Sequence, residues 1–246
     1  MRYRITLSYD GSAFCGWQVQ SNDPSVQGTL QEKLTMLLGG NIDVVGAGRT
    51  DTGVNASFYV AHFDCGREFD AAELKYRLNA VLPRQIAIKS IERADNDFHA
   101  RFSARSRQYK YFIHNEKDPF KDKFSWYCRF PLDVDRMNSA CTYLVGSHDC
   151  SCFEKTGSDN TGSMCDITSA HWEASTAPDG CRSLVFTIEA NRFLRNMVRA
   201  IVGTMIDIGR GVHEPEWIEE LLKSGTRSDA GQSVPGHALF LSDIKY

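Results

Sequence analysis

Apolar residues in this chain switch between a two-residue repeat and one of roughly 3.6 residues in the order strand, helix, strand, strand, helix, strand, and that order runs twice. Residues 2–10 alternate, with Tyr3, Ile5, Leu7 and Tyr9 on one face and Arg4, Thr6 and Ser8 on the other, which predicts a half-buried strand. After Asp23-Pro24-Ser25, Val26, Leu30, Leu34, Leu37 and Leu38 recur at helical spacing until Gly39-Gly40 ends the run. Strands are expected at 42–45 and 56–63, then a helix capped by Asp70 and stopped by Pro83, then a strand at 86–91. The second passage predicts a strand over 102–113, a helix opened by Asp133, and strands at 165–173 and 182–190 around the turn Ala177-Pro178-Asp179-Gly180. A long apolar helix over 192–208, a shorter one over 215–223 and a strand at 238–244 close it, and the polar run 154–163 reads as a mobile loop. The expectation is an α+β fold of two ferredoxin-like β-α-β-β-α-β halves, residues 1–97 and 98–246, with antiparallel sheets meeting at a central cleft. Element order repeats; residue identity does not.

Between the expected strands at 42–45 and 56–63 lies Gly46-Ala47-Gly48-Arg49-Thr50-Asp51-Thr52-Gly53. It lacks the GK[ST] ending of a phosphate-cradling loop, so its glycines serve sharp bending and close approach of other backbone or ligand. Two readings stand at this point: a turn that carries a polar residue, or a presented carboxylate that acts as base or nucleophile where a cation holds it ionised.

Composition narrows the function classes. With 42% hydrophobic residues the chain can bury a core, and no apolar run approaches the ~20 residues of a bilayer span. The start, MRYRITLSYDG, alternates and lacks the apolar block of a signal peptide, so a cytoplasmic location is expected. Eight cysteines contain no CxxC pair; His148-Asp149-Cys150-Ser151-Cys152 with Cys165 admits a zinc site, at a spacing that departs from the usual structural one. The formal net charge of −3 argues against a broadly basic coat, yet HARFSARSRQYKY (99–111) holds Arg101, Arg105, Arg107 and Lys110 without an acid. Arg192, Arg195, Arg199 and Arg210 gather against Asp207, the first three on one expected helix face. Both clusters fit either phosphate contacts or solvated faces.

Further motifs join the glycine loop: Tyr9-Asp10-Gly11 with Phe14 and Gly16-Trp17-Gln18, Phe98-His99-Ala100-Arg101-Phe102, Arg107-Gln108-Tyr109-Lys110-Tyr111, Phe193-Leu194 and Met197-Val198-Arg199 with Ile201-Val202-Gly203-Thr204. In this order, across nearly the whole chain, they resemble the tRNA pseudouridine synthase A family. The resemblance implies an enzyme that isomerises uridine to pseudouridine at positions 38, 39 and 40 of the tRNA anticodon stem-loop, without cofactor or metal, as a homodimer whose partner is tRNA and not a membrane. It assigns Asp51 as the catalytic carboxylate, Tyr109 as the residue that stacks on the target base and assists proton transfer, and Arg199 as the partner of the acid. Arg49 matches a loop arginine associated with RNA binding and base flipping, and Arg101, Arg105, Arg107 and Arg195 are further expected RNA contacts.

The chain also departs from the family pattern. Asn55 stands where a histidine is usual, and because an amide hydrogen-bonds but carries no proton a structural role is expected there. Cys150 replaces a phenylalanine after His148-Asp149, and Ser233-Val234-Pro235-Gly236-His237-Ala238-Leu239 matches the family's proline-containing tail imperfectly. Two competing functions remain: an RNA-binding module without catalysis, and a metal-dependent hydrolase built on His148, Asp149 and the cysteines.

Overall fold

The structure, a computed structural model, describes residues 1–157, 162–177 and 180–246. Part of the expected loop at 154–163, and Pro178-Asp179 of the expected turn, lie outside the described residues. The fold is α+β, with largely antiparallel strands, and its contacts divide the chain into two units. The first is residues 1–105 with 240–246; the second is residues 106–239.

The first unit begins with strand β1 (Arg2–Tyr9) and helix α1 (Val26–Leu38), and continues through strands β2 (Val44–Gly46) and β3 (Asn55–Asp64). Helix α2 (Ala71–Val81) and strand β4 (Ile86–Arg93) follow. Their strand order is β4-β1-β3, with Ile5 of β1 opposite Ala61 of β3 and Ile91 of β4, all antiparallel. The other edge of β3 carries β2 beside residues 61–63 and, in parallel, strand β10 (Leu239–Lys245) beside residues 55–56. Ser25 caps α1 by accepting the Gly28 N–H at 3.1 Å, and Asp70 caps α2 by accepting from Ala72 and Glu73 at 2.8 and 3.1 Å. The apolar stripes of both helices meet the sheet: Ile5, Leu7, Leu30, Leu34, Tyr59, Phe63 and Leu78 are buried.

The second unit opens with strand β5 (Ser106–His114), the short strand β6 (Trp126–Tyr127) and helix α3 (Val134–Leu144). Strands β7 (Gly146–Asp149), β8 (Met164–Thr176) and β9 (Arg182–Ala190) precede helices α4 (Met197–Gly209) and α5 (Trp217–Ser224). The sheet order is β5-β9-β8-β7, antiparallel throughout, with Tyr109 opposite Ile188 and Trp172 opposite Phe186. Asp133 caps α3, and Met137, Leu144, Phe153, Phe186, Ile201 and Met205 form the core.

Two boundaries differ from expectation for local reasons. Residues 98–103 form a hydrogen-bonded turn, so β5 starts at Ser106 and not at Phe102. Helix α4 starts at Met197 and not near 192, because Asn196 takes a left-handed conformation (φ 63°) that no continuous helix tolerates. Arg192 and Arg195 therefore precede the helix and share no helical face with Arg199.

Candidate functional site

In the first unit, the link from β2 to β3 is fixed by residues far from it in sequence. Tyr9 exchanges a hydroxyl hydrogen bond with Thr50 at 2.8 Å, and the Trp17 N–H donates to the Thr50 carbonyl at 3.2 Å. Gly53 donates to the Phe14 carbonyl at 3.4 Å, and the Val54 N–H closes a turn onto the Asp51 carbonyl at 3.1 Å. Asn55, 1% exposed, accepts the Gly11 N–H through Oδ1 at 2.8 Å. Gly16 sits at φ 93° directly against this loop; a Cβ there would overlap the Thr50 carbonyl oxygen, so only glycine permits the approach. Beneath the loop, Trp17 and Tyr59 stack with centroids 4.1 Å apart, and the Tyr59 hydroxyl donates to the Gly48 carbonyl.

The motif at residues 9–18 thus clamps the glycine loop from both flanks. Asp51 is half-buried on a backbone held at Thr50, Asp51, Gly53 and Val54, while Arg49 is exposed. A backbone so constrained lowers the cost of ordering the loop when a ligand arrives. Asn55 fills the structural role expected of it.

In the second unit Tyr109 is half-buried on β5, and Phe193 meets its ring edge-on at 5.1 Å and 86°. That contact constrains the tilt of the phenol and links two of the motifs, RQYKY and Phe193-Leu194, in space. Arg199, half-buried in the first turn of α4, donates from Nε to the Val234 carbonyl at 2.7 Å, and Val234 returns its N–H to the Arg199 carbonyl at 3.2 Å. Tyr111 is fully buried and donates to the Pro235 carbonyl at 3.0 Å; burial holds its phenol protonated far above the usual range, against the opposing charge of Arg199. Asn196 and Arg227 both donate to the Ser233 hydroxyl, at 2.6 and 2.7 Å. Segment 233–235 therefore anchors Arg199, Tyr111 and the start of α4 together. In the sequence this stretch stands out only as an imperfect tail, with the serine and the proline its visible signals.

The remaining expected contacts separate into two kinds. Arg101 and Arg105 are exposed in the first unit, and Arg195 is exposed in the second. Arg107 is half-buried and donates from Nη1 to the Asn191 carbonyl at 2.8 Å, so part of its donor set is spent inside the protein. Around the cysteine cluster, His148 Nε2 lies 3.3 Å from the Val145 carbonyl and Asp149 accepts the Ser151 N–H at 2.9 Å. Cys150, Cys152 and Cys165 are buried, and among the described residues no three His, Cys, Asp or Glu side chains converge on a point that holds a metal. No described helix is long and apolar enough to cross a membrane.

Comparison with known proteins adds a further finding. A family model described as tRNA pseudouridine synthase matches residues 5–103 and 140–246. A protein from Bacteroides thetaiotaomicron is 42% identical over 245 residues, covering 100% of this chain and 90% of that protein. One from Porphyromonas gingivalis is 43% identical over 247 residues, covering 100% and 97% respectively. One from Bacillus velezensis is 38% identical over 250 residues, covering 100% and 99%. All three bear the name tRNA pseudouridine synthase A.

Proposed function

The chain belongs to the tRNA pseudouridine synthase family, and from that premise we propose that it isomerises uridine to pseudouridine at positions 38, 39 and 40 of the tRNA anticodon stem-loop, with Asp51 as the catalytic carboxylate. The clamped loop carries this reading: a turn needing only to reverse the chain would not require buried bonds from Tyr9, Gly11, Phe14 and Trp17.

The reaction breaks the N1–C1′ bond of uridine, turns the uracil and joins its C5 to C1′. The C5 proton is lost and N1 gains one, so the product is an isomer and no electrons leave the substrate. Reaching that bond requires the nucleotide to leave its stack, at a cost of about a few kcal/mol. Asp51 acts on the everted nucleoside, with Arg199 as the cation assigned to it by the family resemblance. Tyr109, its tilt constrained by Phe193, stacks on the uracil and assists proton transfer at C5. Arg49 holds the RNA backbone beside the vacated position, with Arg101, Arg105, Arg107 and Arg195 as further phosphate contacts. Arg107 does so with its guanidinium already steadied by the Asn191 carbonyl.

The same reading covers the architecture and setting. The β-α-β-β-α-β order, with β4-β1-β3 and β2 beside β3, supports a ferredoxin-like first half that bears the acid. A second half bears the tyrosine and the arginine helix. The enzyme works as a homodimer in the cytoplasm, where its tRNA is made.

Purified protein incubated with an unmodified tRNA transcript is expected to form pseudouridine on the anticodon arm, read by carbodiimide labelling and primer extension. Asp51→Asn, which keeps the shape and removes the charge, is expected to lower the rate at least about 10³-fold with unchanged tRNA affinity. Wild-type protein that leaves the arm unmodified overturns the proposal, and an active Asp51→Asn variant overturns the assignment.

A further inference from the structure

Residues 98–103 spend many hydrogen bonds to hold one apolar ring in water. Phe102 is 76% exposed. Beneath it, the buried His62 of β3 accepts the Ala100 N–H through Nδ1 at 3.1 Å, and the Tyr246 hydroxyl donates to the Ala100 carbonyl at 2.8 Å. His99 Nδ1 lies 3.2 Å from the N–H groups of both Arg101 and Phe102 and accepts from them. Ser103 donates its N–H to the His99 carbonyl and accepts the His99 N–H on Oγ, both at 2.9 Å. Arg2 donates to the Phe98 carbonyl, also at 2.9 Å.

Ordering a turn to this degree opposes chain entropy, and displaying a phenyl ring forgoes the gain of burying it. Both costs are understandable where a ligand covers the ring. The His99 ring lies 4.4 Å from that of Phe102, and the Arg101 guanidinium 5.5 Å from its centroid. No acid occurs from residue 99 to residue 110, while Arg101, Arg105, Arg107 and Lys110 do. A rigid aromatic surface in an acid-free, arginine-bearing stretch suits a nucleobase with its attached phosphate better than an apolar protein face.

We propose that Phe102 is a stacking platform for an unpaired nucleobase of the RNA substrate other than the uridine being isomerised, with Arg101 supplying charge to the adjoining phosphate. The inference rests on the tRNA reading above and adds a binding residue to it. Its role is binding, not chemistry: the ring holds RNA in place while another part of the molecule reacts.

The test compares Phe102→Ala, Phe102→Leu and Phe102→Tyr with wild type. The readouts are tRNA Kd by filter binding, KM and kcat for pseudouridine formation, thermal midpoint, and sedimentation. Alanine and leucine are expected to raise Kd and KM about five- to fifty-fold with a smaller change in kcat, and tyrosine to restore both. The thermal midpoint stays within error because the ring is already in solvent. Leucine binding as wild type would show a generic apolar contact, and unchanged binding in all variants would show none; either overturns the proposal. A lowered thermal midpoint, or a change in sedimentation that accounts for the lost affinity, overturns it in favour of a structural role or a contact between copies. Wild-type protein that neither binds nor modifies tRNA sinks the underlying reading instead, and this inference with it.

Discussion

His62 shows how one buried side chain sets the behaviour of a turn distant from it in sequence, residues 98–103. Burial, then the charges of Arg2 and His99, pushes its imidazole down to about 4, with Asp64 opposing, so near neutral pH the ring is uncharged and Nδ1 is able to accept from Ala100. The folded value lies below the unfolded one of 6.5, so the unfolded chain binds more protons between the two. Stability from this site is therefore complete above pH 6.5 and is lost as pH falls through about 4. Thermal midpoints measured across that window are expected to fall more steeply for wild type than for His62→Asn, whose amide oxygen can accept the same bond without titrating. Equal slopes would remove His62 as the cause. Nothing in the sequence distinguishes His62 from any alternating strand residue, because its partner lies 38 positions away. The loop around Asp51 stands out in the sequence for the opposite reason: glycines, arginine and acid stand side by side. The bonds that clamp that loop reach from Tyr9, Gly11, Phe14 and Trp17, 33 to 44 positions earlier in the chain, and periodicity carries no trace of them.

Among the elements, α4 depends most on close approach. A Cβ on Gly203 would overlap the Gln232 carbonyl oxygen, so the helix rests directly on the backbone just before Ser233 and Val234. Gly203→Ala is expected to cost about 1–3 kcal/mol in urea unfolding, and to impair catalysis as well by shifting the carbonyl that holds Arg199. An unchanged denaturation midpoint would refute that packing. Helices α1, α2 and α3 are readable to within a residue or two because each has both an apolar stripe and a side-chain cap. The start of α4 is not, since Asn196 breaks the helix through its backbone angle while its neighbours remain apolar and well spaced. Strand β7 escapes sequence reading altogether: Gly146-Ser147-His148-Asp149 has no apolar alternation and pairs only because β8 extends beside it.

At the scale of the molecule, an acidic protein is assigned a polyanionic substrate. With a net charge of −3, binding must come from local arginine clusters and not from the overall field. About four neutralised phosphates give a log-log salt slope near −3 to −4, so tRNA affinity is expected to fall at least about fiftyfold between roughly 50 and 200 mM salt. A flat salt response in filter binding would contradict phosphate contacts by Arg49, Arg101, Arg105 and Arg195. The order of the longer elements is readable, since each has its own period. Which unit the final strand joins is not, because β10 alternates equally well wherever it pairs. It pairs with β3, and residues 240–246 belong with residues 1–105, so the second unit is enclosed in sequence by the first. Vectorial synthesis then meets a scheduling constraint. Residues 1–105 leave the ribosome well before the strand that completes their sheet, and the whole of residues 106–239 is made in the interval.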